Sequence, residues 1–406
     1  MYNQQTLPKV YIDNCSDKNM PRFEEIIPNP YNISKPARSR SMFFGRKDII
    51  DYVVNHVNKK GSNNILVLHG ERRIGKTSIL LQLKDNFLSQ KHIPVYIDMH
   101  AITCKGTDIF FYNLSRCILN SLEKENLVMD KLCLEEFRKA PAANFNRKIL
   151  NPIEEKLEDR KLVLMFDEIE ELYNLVKDRK IDEKTLYFLR DTIQERKKIC
   201  FIFTGAHQLT EIKGQYWSTL LNMTVHKRVD TLSKNDTMDL IMKPVEKYDM
   251  RYQESAKEYI FQISGGHPYF AQLVCYEMVE YHNKTQKSYL KIHDINNALD
   301  RICEKGNYPL QFIWEQSEKN ERIILAALAE IENLSKPLMN ESLLVLMRRY
   351  LPHYTLGELL DTLGKLSQRR ILVKERDKDL YRFKVELVRM WIIRNQKLHE
   401  IIEEVG

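Results

Sequence analysis

The chain has 406 residues, 43% hydrophobic and 29% charged, with a net charge of +7, a globular composition and enough length for about two to four domains. Its seven cysteines are scattered without a C-x-x-C pair, which argues against a metal cluster or disulfide framework and for a reducing, cytoplasmic setting. The first twenty residues carry no apolar core of a secretory signal and no apolar run reaches the length of a membrane span, while the mild positive charge permits nucleic-acid contact without demanding it.

In chain order, residues 1–40 are poorly periodic and interrupted by Pro8, Pro21, Pro28, Pro30 and Pro36. They read as an extended arm or a tail, because proline breaks any long helix. Residues 41–232 then alternate strand and helix patterns. The buried strand at 64–68 leads into Gly70-Glu71-Arg72-Arg73-Ile74-Gly75-Lys76-Thr77-Ser78, and residues 78–84 read as a helix. This is G-x-x-x-x-G-K-[ST] in the strand–loop–helix context that the phosphate-binding loop requires. Gly70 and Gly75 allow the backbone to wrap closely around phosphate oxygens, and successive N–H groups point inward at an anion. Lys76 supplies a point charge for the β- and γ-phosphates. Thr77 offers a hydroxyl to Mg²⁺ at a helix N-terminus that favours negative charge.

Residues 95–99 read as a strand and 108–122 as a helix. Lys161–Asp167 is a continuous apolar run ending in Asp167 and Glu168, as suits a strand buried on both faces of a parallel sheet. Its C-terminal end is where open α/β sheets bind ligands. Asp167 is placed to hold the Mg²⁺ shell, and Glu168 to orient or deprotonate a water. Residues 183–196 read as a helix and Ile199–Gly205 as another buried strand, whose Thr204 is either a γ-phosphate sensor or a strand-end threonine before a turn. The alternation predicts a parallel sheet with helices on both faces.

Residues 233–310 are helical, with candidates at 233–240, 255–264 and 269–281. Gly265-Gly266-His267-Pro268 lies between the last two, glycines ending one helix and proline starting the next. Residues 311–406 give helix candidates at 320–333, 341–350 and 356–368, short strands at 370–374 and 380–384, and a closing helix at 386–403: a winged-helix pattern. Residues 345–400 hold 13 Lys and Arg against 7 Asp and Glu. Arg348, Arg349, Lys365, Arg369, Arg370, Lys374, Arg376 and Lys378 either meet nucleic-acid phosphates or form solvated faces of an interaction module. The charges interleave with Glu375, Asp377 and Asp379, which favours the second reading.

The chain resembles the STAND-class P-loop ATPases of prokaryotes, relatives of the AAA+ and origin-recognition ATPases. The resemblance rests on Asn29-Pro30-Tyr31 with Phe43-Phe44-Gly45-Arg46, the G-x-R-R-x-G-K-T-S loop, Asp167-Glu168, and Gly265-Gly266-His267-Pro268-Tyr269-Phe270. It implies ATP and ADP, with the adenine near Phe44, Gly45, Arg46 and Pro268, and a switch in which ADP holds a closed state and ATP an open, oligomerising one. The family's T-G-S appears as Thr204-Gly205-Ala206, leaving the sensor role on Thr204. No repeat array follows the winged-helix pattern and no effector domain is evident.

The reading that follows is an α/β P-loop NTPase core with a helical lid and a C-terminal winged helix. The divisions are 1–40 arm, 41–232 core, 233–310 lid and 311–406 winged helix. Lys76, Asp167, Glu168 and Thr204 are the catalytic candidates. The loop residues 70–78 bind nucleotide, and Thr77 and Asp167 bind metal. The function expected is a slow, Mg²⁺-dependent ATPase acting as an oligomerisation or signalling switch with a homo-oligomeric or effector partner. The alternatives are a DNA-binding loader or initiator, and a scaffold that binds ATP without hydrolysing it. No membrane contact is expected.

Overall fold

A computed structural model describes residues 21–59, 65–102, 104–123, 125, 131–206, 224–330, 340–375 and 380–403. Residues 36–230 form one unit; residues 231–403, together with 21–35, form the other. The first unit runs α1 (Lys47–Asn58), β1 (Ile65–His69), α2 (Lys76–Gln82), β2 (His92–Asp98), α3 (Thr107–Glu123), β3 (Lys161–Asp167), α4 (Glu170–Lys177), α5 (Lys184–Glu195), β4 (Ile199–Gly205) and β5 (Val225–Arg228). The five strands form one sheet in the order β2-β3-β4-β1-β5, and every pairing is parallel.

The unbroken apolar runs of β1, β3 and β4 are two-faced on inspection. Ile65, Val67, Leu162, Leu164, Phe166, Phe201 and Phe203 join a core with Phe110, Phe111, Leu114 and Ile118 of α3. Leu66, Leu68, Val163, Met165, Cys200 and Ile202 join a second core with Ile49, Ile50 and Val53 of α1 and Ile79 and Leu80 of α2. Successive strand side chains alternate faces, so a strand covered by helices on both sides must be apolar at every position. The expected strands and helices of this region are present with shifted ends. β2 begins at His92 because its pairing with β3 starts at the His92–Lys161 register. Asn64 and residues 207–223 lie outside the described residues. Neither α1 nor β5 is among the expected elements; β5 is an edge strand with no fully buried residue, so it carries no apolar run.

In the second unit the elements are α6 (Lys234–Met242), β6 (Arg251–Tyr252), α7 (Glu254–Ser264), α8 (Pro268–Thr285), β7 (Tyr289–Leu290), α9 (Ile292–Lys305), α10 (Asn307–Glu315), α11 (Lys319–Glu330), α12 (Asn340–Tyr350), α13 (Leu356–Gln368), β8 (Leu372–Lys374), β9 (Tyr381–Phe383), α14 (Glu386–Asn395) and α15 (Leu398–Glu403). The expected closing helix is two helices, because Gln396 turns to extended backbone (φ −133°, ψ 119°). Residues 331–333, Arg376, Asp377, Lys378 and Asp379 lie outside the described residues.

Residues 21–35 are extended and strapped onto this helical unit. Asn29 Nδ2 donates to Tyr276 O at 3.1 Å and to Glu280 Oε1 at 2.9 Å on α8. The Tyr31 hydroxyl donates to Ile241 O of α6 at 2.6 Å, and its ring is buried. Ile26 N–H donates to Asn283 Oδ1 at 2.9 Å, and Asn283 Nδ2 donates back to Ile26 O at 3.1 Å. Residues 1–20, with Pro8 and Cys15, lie outside the described residues.

The double glycine between α7 and α8 is required by its surroundings. Gly265 has φ +57°, and a Cβ on it would sit 2.1 Å from the Lys384 carbonyl oxygen beyond β9. Gly266 has φ +69°, and its Cβ would meet Leu232 O at 2.7 Å. Gly265→Ala must move backbone as well as adopt a left-handed dihedral, so it should destabilise the protein by about 2–4 kcal/mol. Thermal denaturation checks this; an unchanged melting temperature would refute the close approach.

The basic residues nominated for phosphate contact are corrected in part. Arg369 Nη1 donates to Glu321 Oε2 at 2.6 Å, with both side chains largely buried, so Arg369 holds α13 to α11 rather than facing solvent. Lys365 pairs with Glu318 at 3.4 Å and Asp361 at 3.3 Å, and Arg348 Nε donates to Tyr354 O at 3.0 Å.

Candidate phosphate-binding and acidic site

The site is built at the C-terminal ends of β1, β3 and β4. β4 lies between the other two: Leu68 pairs with Thr204 and His69 with Gly205 on one side, and Phe166 with Phe203 on the other. The phosphate loop leaves β1 at Gly70, whose N–H donates to Gly205 O at 3.2 Å. A Cβ on Gly70 would meet Val229 O at 2.4 Å, and Gly75 has φ +102°. Both loop glycines are therefore obligatory, one for space and one for dihedral.

Lys76 opens α2 and folds back over the loop. Its Nζ donates to Gly70 O at 2.9 Å and Glu71 O at 2.8 Å. Burial lowers the pKa of this ammonium, with the charges of Glu170, Asp167, Glu168 and Glu71 opposing the shift. Thr77 is half-buried, Ile74 fully buried, and Arg72 and Arg73 exposed. The Ser78 hydroxyl accepts the Ala37 N–H at 3.0 Å, and Gln82 Nε2 donates to Arg38 O at 2.7 Å. Phe44 is half-buried and Gly45 has φ +66°. The buried Arg46, at φ 66° before α1, donates to the Ile74 carbonyl of the loop at 2.8 Å and to Asp230 O. Arg46 thus braces the loop backbone. Pro268 lies in the other unit, at the first turn of α8.

At the end of β3, Asp167 is buried and fixed by two hydroxyls. Thr204 Oγ1 donates to Oδ1, and Tyr96 Oη donates to Oδ2 at 2.8 Å. Burial, then the charge of Asp167, pushes the Tyr96 phenol pKa upward. Thr204 Oγ1 also accepts the Glu168 N–H at 3.1 Å. Glu168 has φ +57°, a costly conformation for a non-glycine residue that concentrates at functional sites. Its carboxylate pairs with His100 Nε2, and His100 Nδ1 is 3.6 Å from Glu171 Oε1. Burial alone would lower the His100 pKa, but the hydrogen bond and charge of Glu168, with Glu171 and Asp98, raise it.

Asp167, Glu168 and Thr204 are thus joined by hydrogen bonds, and Lys76 lies on the loop that leaves the neighbouring β1. Tyr96, His100 and Glu170 were missed. Tyr96 sat inside a correctly read strand, but nothing local marks its hydroxyl as a partner for Asp167. His100 follows β2 without a motif. Glu170 read as one of several acids at a helix start.

The donor set fits a nucleotide with Mg²⁺. The loop is a backbone N–H cradle with a lysine at its mouth, and Thr77 and Asp167 are the hard oxygen donors that Mg²⁺ takes alongside phosphate oxygens. Among the described residues no group of three or more His, Cys, Asp or Glu gathers as a metal site.

Comparison with known proteins agrees with this geometry. The family described as "ATPase domain predominantly from Archaea" matches residues 43–274. No curated protein matches the chain. Among solved structures, a Walker-type ATPase of Pyrococcus abyssi is 15% identical with a TM-score of 0.64, covering 89% of this chain and 99% of its own. The ORC2 protein of Aeropyrum pernix, solved as ADPNP–ADP complexes, is 13% identical with a TM-score of 0.59, covering 95% of this chain and 99% of its own. At these identities the likeness is one of fold: a P-loop ATPase core on a parallel sheet, with a helical C-terminal region. Among the described residues no helix is long and apolar enough to cross a membrane.

Proposed function

The chain belongs to this family of ATPase domains, and from that premise we propose that it is a slow, Mg²⁺-dependent ATPase of the STAND type, working as a nucleotide-controlled switch for a protein partner. Lys76 and the loop N–H groups bind the phosphates, Thr77 and Asp167 hold the metal, and Thr204 and Tyr96 fix the Asp167 carboxylate. Bound Mg²⁺ would supply charge neutralisation at the phosphate oxygens. Glu168 orients the attacking water. Phe44, Gly45, Arg46 and Pro268 remain the proposed neighbours of the adenine, Arg46 acting through its hold on the loop.

One observation carries the switch reading. The Asp167 carboxylate is held by the Thr204 and Tyr96 hydroxyls, whereas the Glu168 carboxylate is paired with His100. The base must leave that partner to act on water, which makes basal turnover slow and open to control.

The runner-up, a DNA-binding loader using the C-terminal winged helix, loses support from the residues meant to carry it. Arg369 is committed to Glu321 and Lys365 to Glu318 and Asp361. The last helix before the two short strands, α13, exposes Leu356 at 45% and Leu360 at 43%. Base readout needs polar side chains on such a helix, whereas an apolar exposed face suits a protein partner or a second copy.

Light scattering on the full chain tests the proposal. ATP with Mg²⁺ should shift the mass from that of the ADP-bound chain, alone or with a partner chain, and duplex DNA should bind no more tightly than about 10 μM at physiological salt, the non-specific range. Submicromolar, salt-sensitive duplex binding would overturn this reading in favour of the loader.

A further inference from the structure

We propose that Glu170 is a positioning residue for this ATPase: its carboxylate fixes the exit of β4 and, through it, the Thr204 hydroxyl that holds Asp167. The proposal rests on the nucleotide reading above.

Glu170 is the first residue of α4. An acid there ordinarily faces water and favours the positive end of the helix. Here the carboxylate turns inward instead. Oε1 accepts the N–H of Ala206, the residue that follows β4. Oε2 is buried and has no hydrogen-bond partner. A carboxylate oxygen left in that state is costly, and a buried polar group without a partner calls for a functional reason.

The neighbourhood supplies a reason. The Ala206 contact closes a run of bonds along the end of β4: Ile169 N–H to Thr204 O at 2.9 Å, Gly70 N–H to Gly205 O at 3.2 Å, then Ala206 N–H to Glu170. Thr204, which donates to Asp167, lies two residues before that last contact. Glu170 therefore helps hold the threonine hydroxyl in register with the metal-ligand candidate.

The test is steady-state hydrolysis, together with isothermal calorimetry of a non-hydrolysable ATP analogue, on the full-length wild type, Glu170→Gln, Glu170→Ala and Lys76→Ala. Glu170→Ala should lose about tenfold in kcat at unchanged affinity for the analogue, because the β4 exit is released. Glutamine keeps the acceptor for Ala206 N–H, so Glu170→Gln should restore most of that loss. If wild type binds the analogue and Lys76→Ala weakens it, yet Glu170→Ala turns over like wild type or Glu170→Gln fails to rescue it, this inference is overturned and the nucleotide reading stands. If wild type itself fails to bind, both fall.

Discussion

Replacing Glu168 with glutamine should slow ATP hydrolysis at least about a hundredfold while leaving ATP affinity within about twofold. The amide keeps the shape of the side chain but accepts no proton. It also loses the charge that holds His100, so the variant should abolish the pH dependence that this pair imposes. The sign follows from the His100 pKa, which lies above its ordinary value of 6.5. Below 6.5 the imidazolium holds Glu168 fully, and that hold is lost as pH rises through the raised value. Wild-type hydrolysis should accordingly increase as pH rises from about 6.5 upward, and His100→Ala should be faster than wild type at the low end and flat across the same range. A colorimetric phosphate assay across pH on wild type, Glu168→Gln and His100→Ala reads all three outcomes. Equal rates for wild type and Glu168→Gln would assign the base to another residue.

Lys76→Ala should weaken ATP binding by roughly ten- to a hundredfold, the worth of a charge-assisted contact of about 1.5–3 kcal/mol. The folded state should tolerate the change. Among the described residues Lys76 Nζ donates to the Gly70 and Glu71 carbonyls of its own loop, and removing a desolvated ammonium relieves a cost as well as losing these bonds. Calorimetry on a variant with an unchanged melting temperature checks the prediction. Undiminished affinity in such a folded variant would remove the phosphate-loop assignment altogether.

Much of the core was legible because the physics that shapes it is local. A strand covered on both faces must be apolar throughout, and Lys161–Asp167 and Ile199–Gly205 announce themselves that way. The loop glycines are demanded by backbone dihedral and close approach, which leave a spelled motif. Helix starts were legible for the same reason: Ser233 caps α6 through the Asp236 N–H, and Thr355 and Glu358 close a capping box on α13. What periodicity could not see was β5, because an edge strand needs no apolar run; α1 does carry a legible stripe, at Ile49, Ile50, Val53 and Val57.

The amino-acid sequence by itself therefore determined which strands are buried, where the phosphate loop lies and which acids end a core strand, since each depends on neighbours a few positions away. Only the tertiary structure decided that β3 lies between β2 and β4, and β4 between β3 and β1, and from that strand order most of the site follows. Thr204 reaches Asp167 across 37 residues, His100 reaches Glu168 across 68 and Tyr96 reaches Asp167 across 71. Arg369, open in the sequence between a phosphate contact and a solvated face, holds Glu321, and Arg46 braces the Ile74 carbonyl of the loop. A side chain's partner at such separations is set by how sheets and helices pack, and a linear pattern carries no record of it.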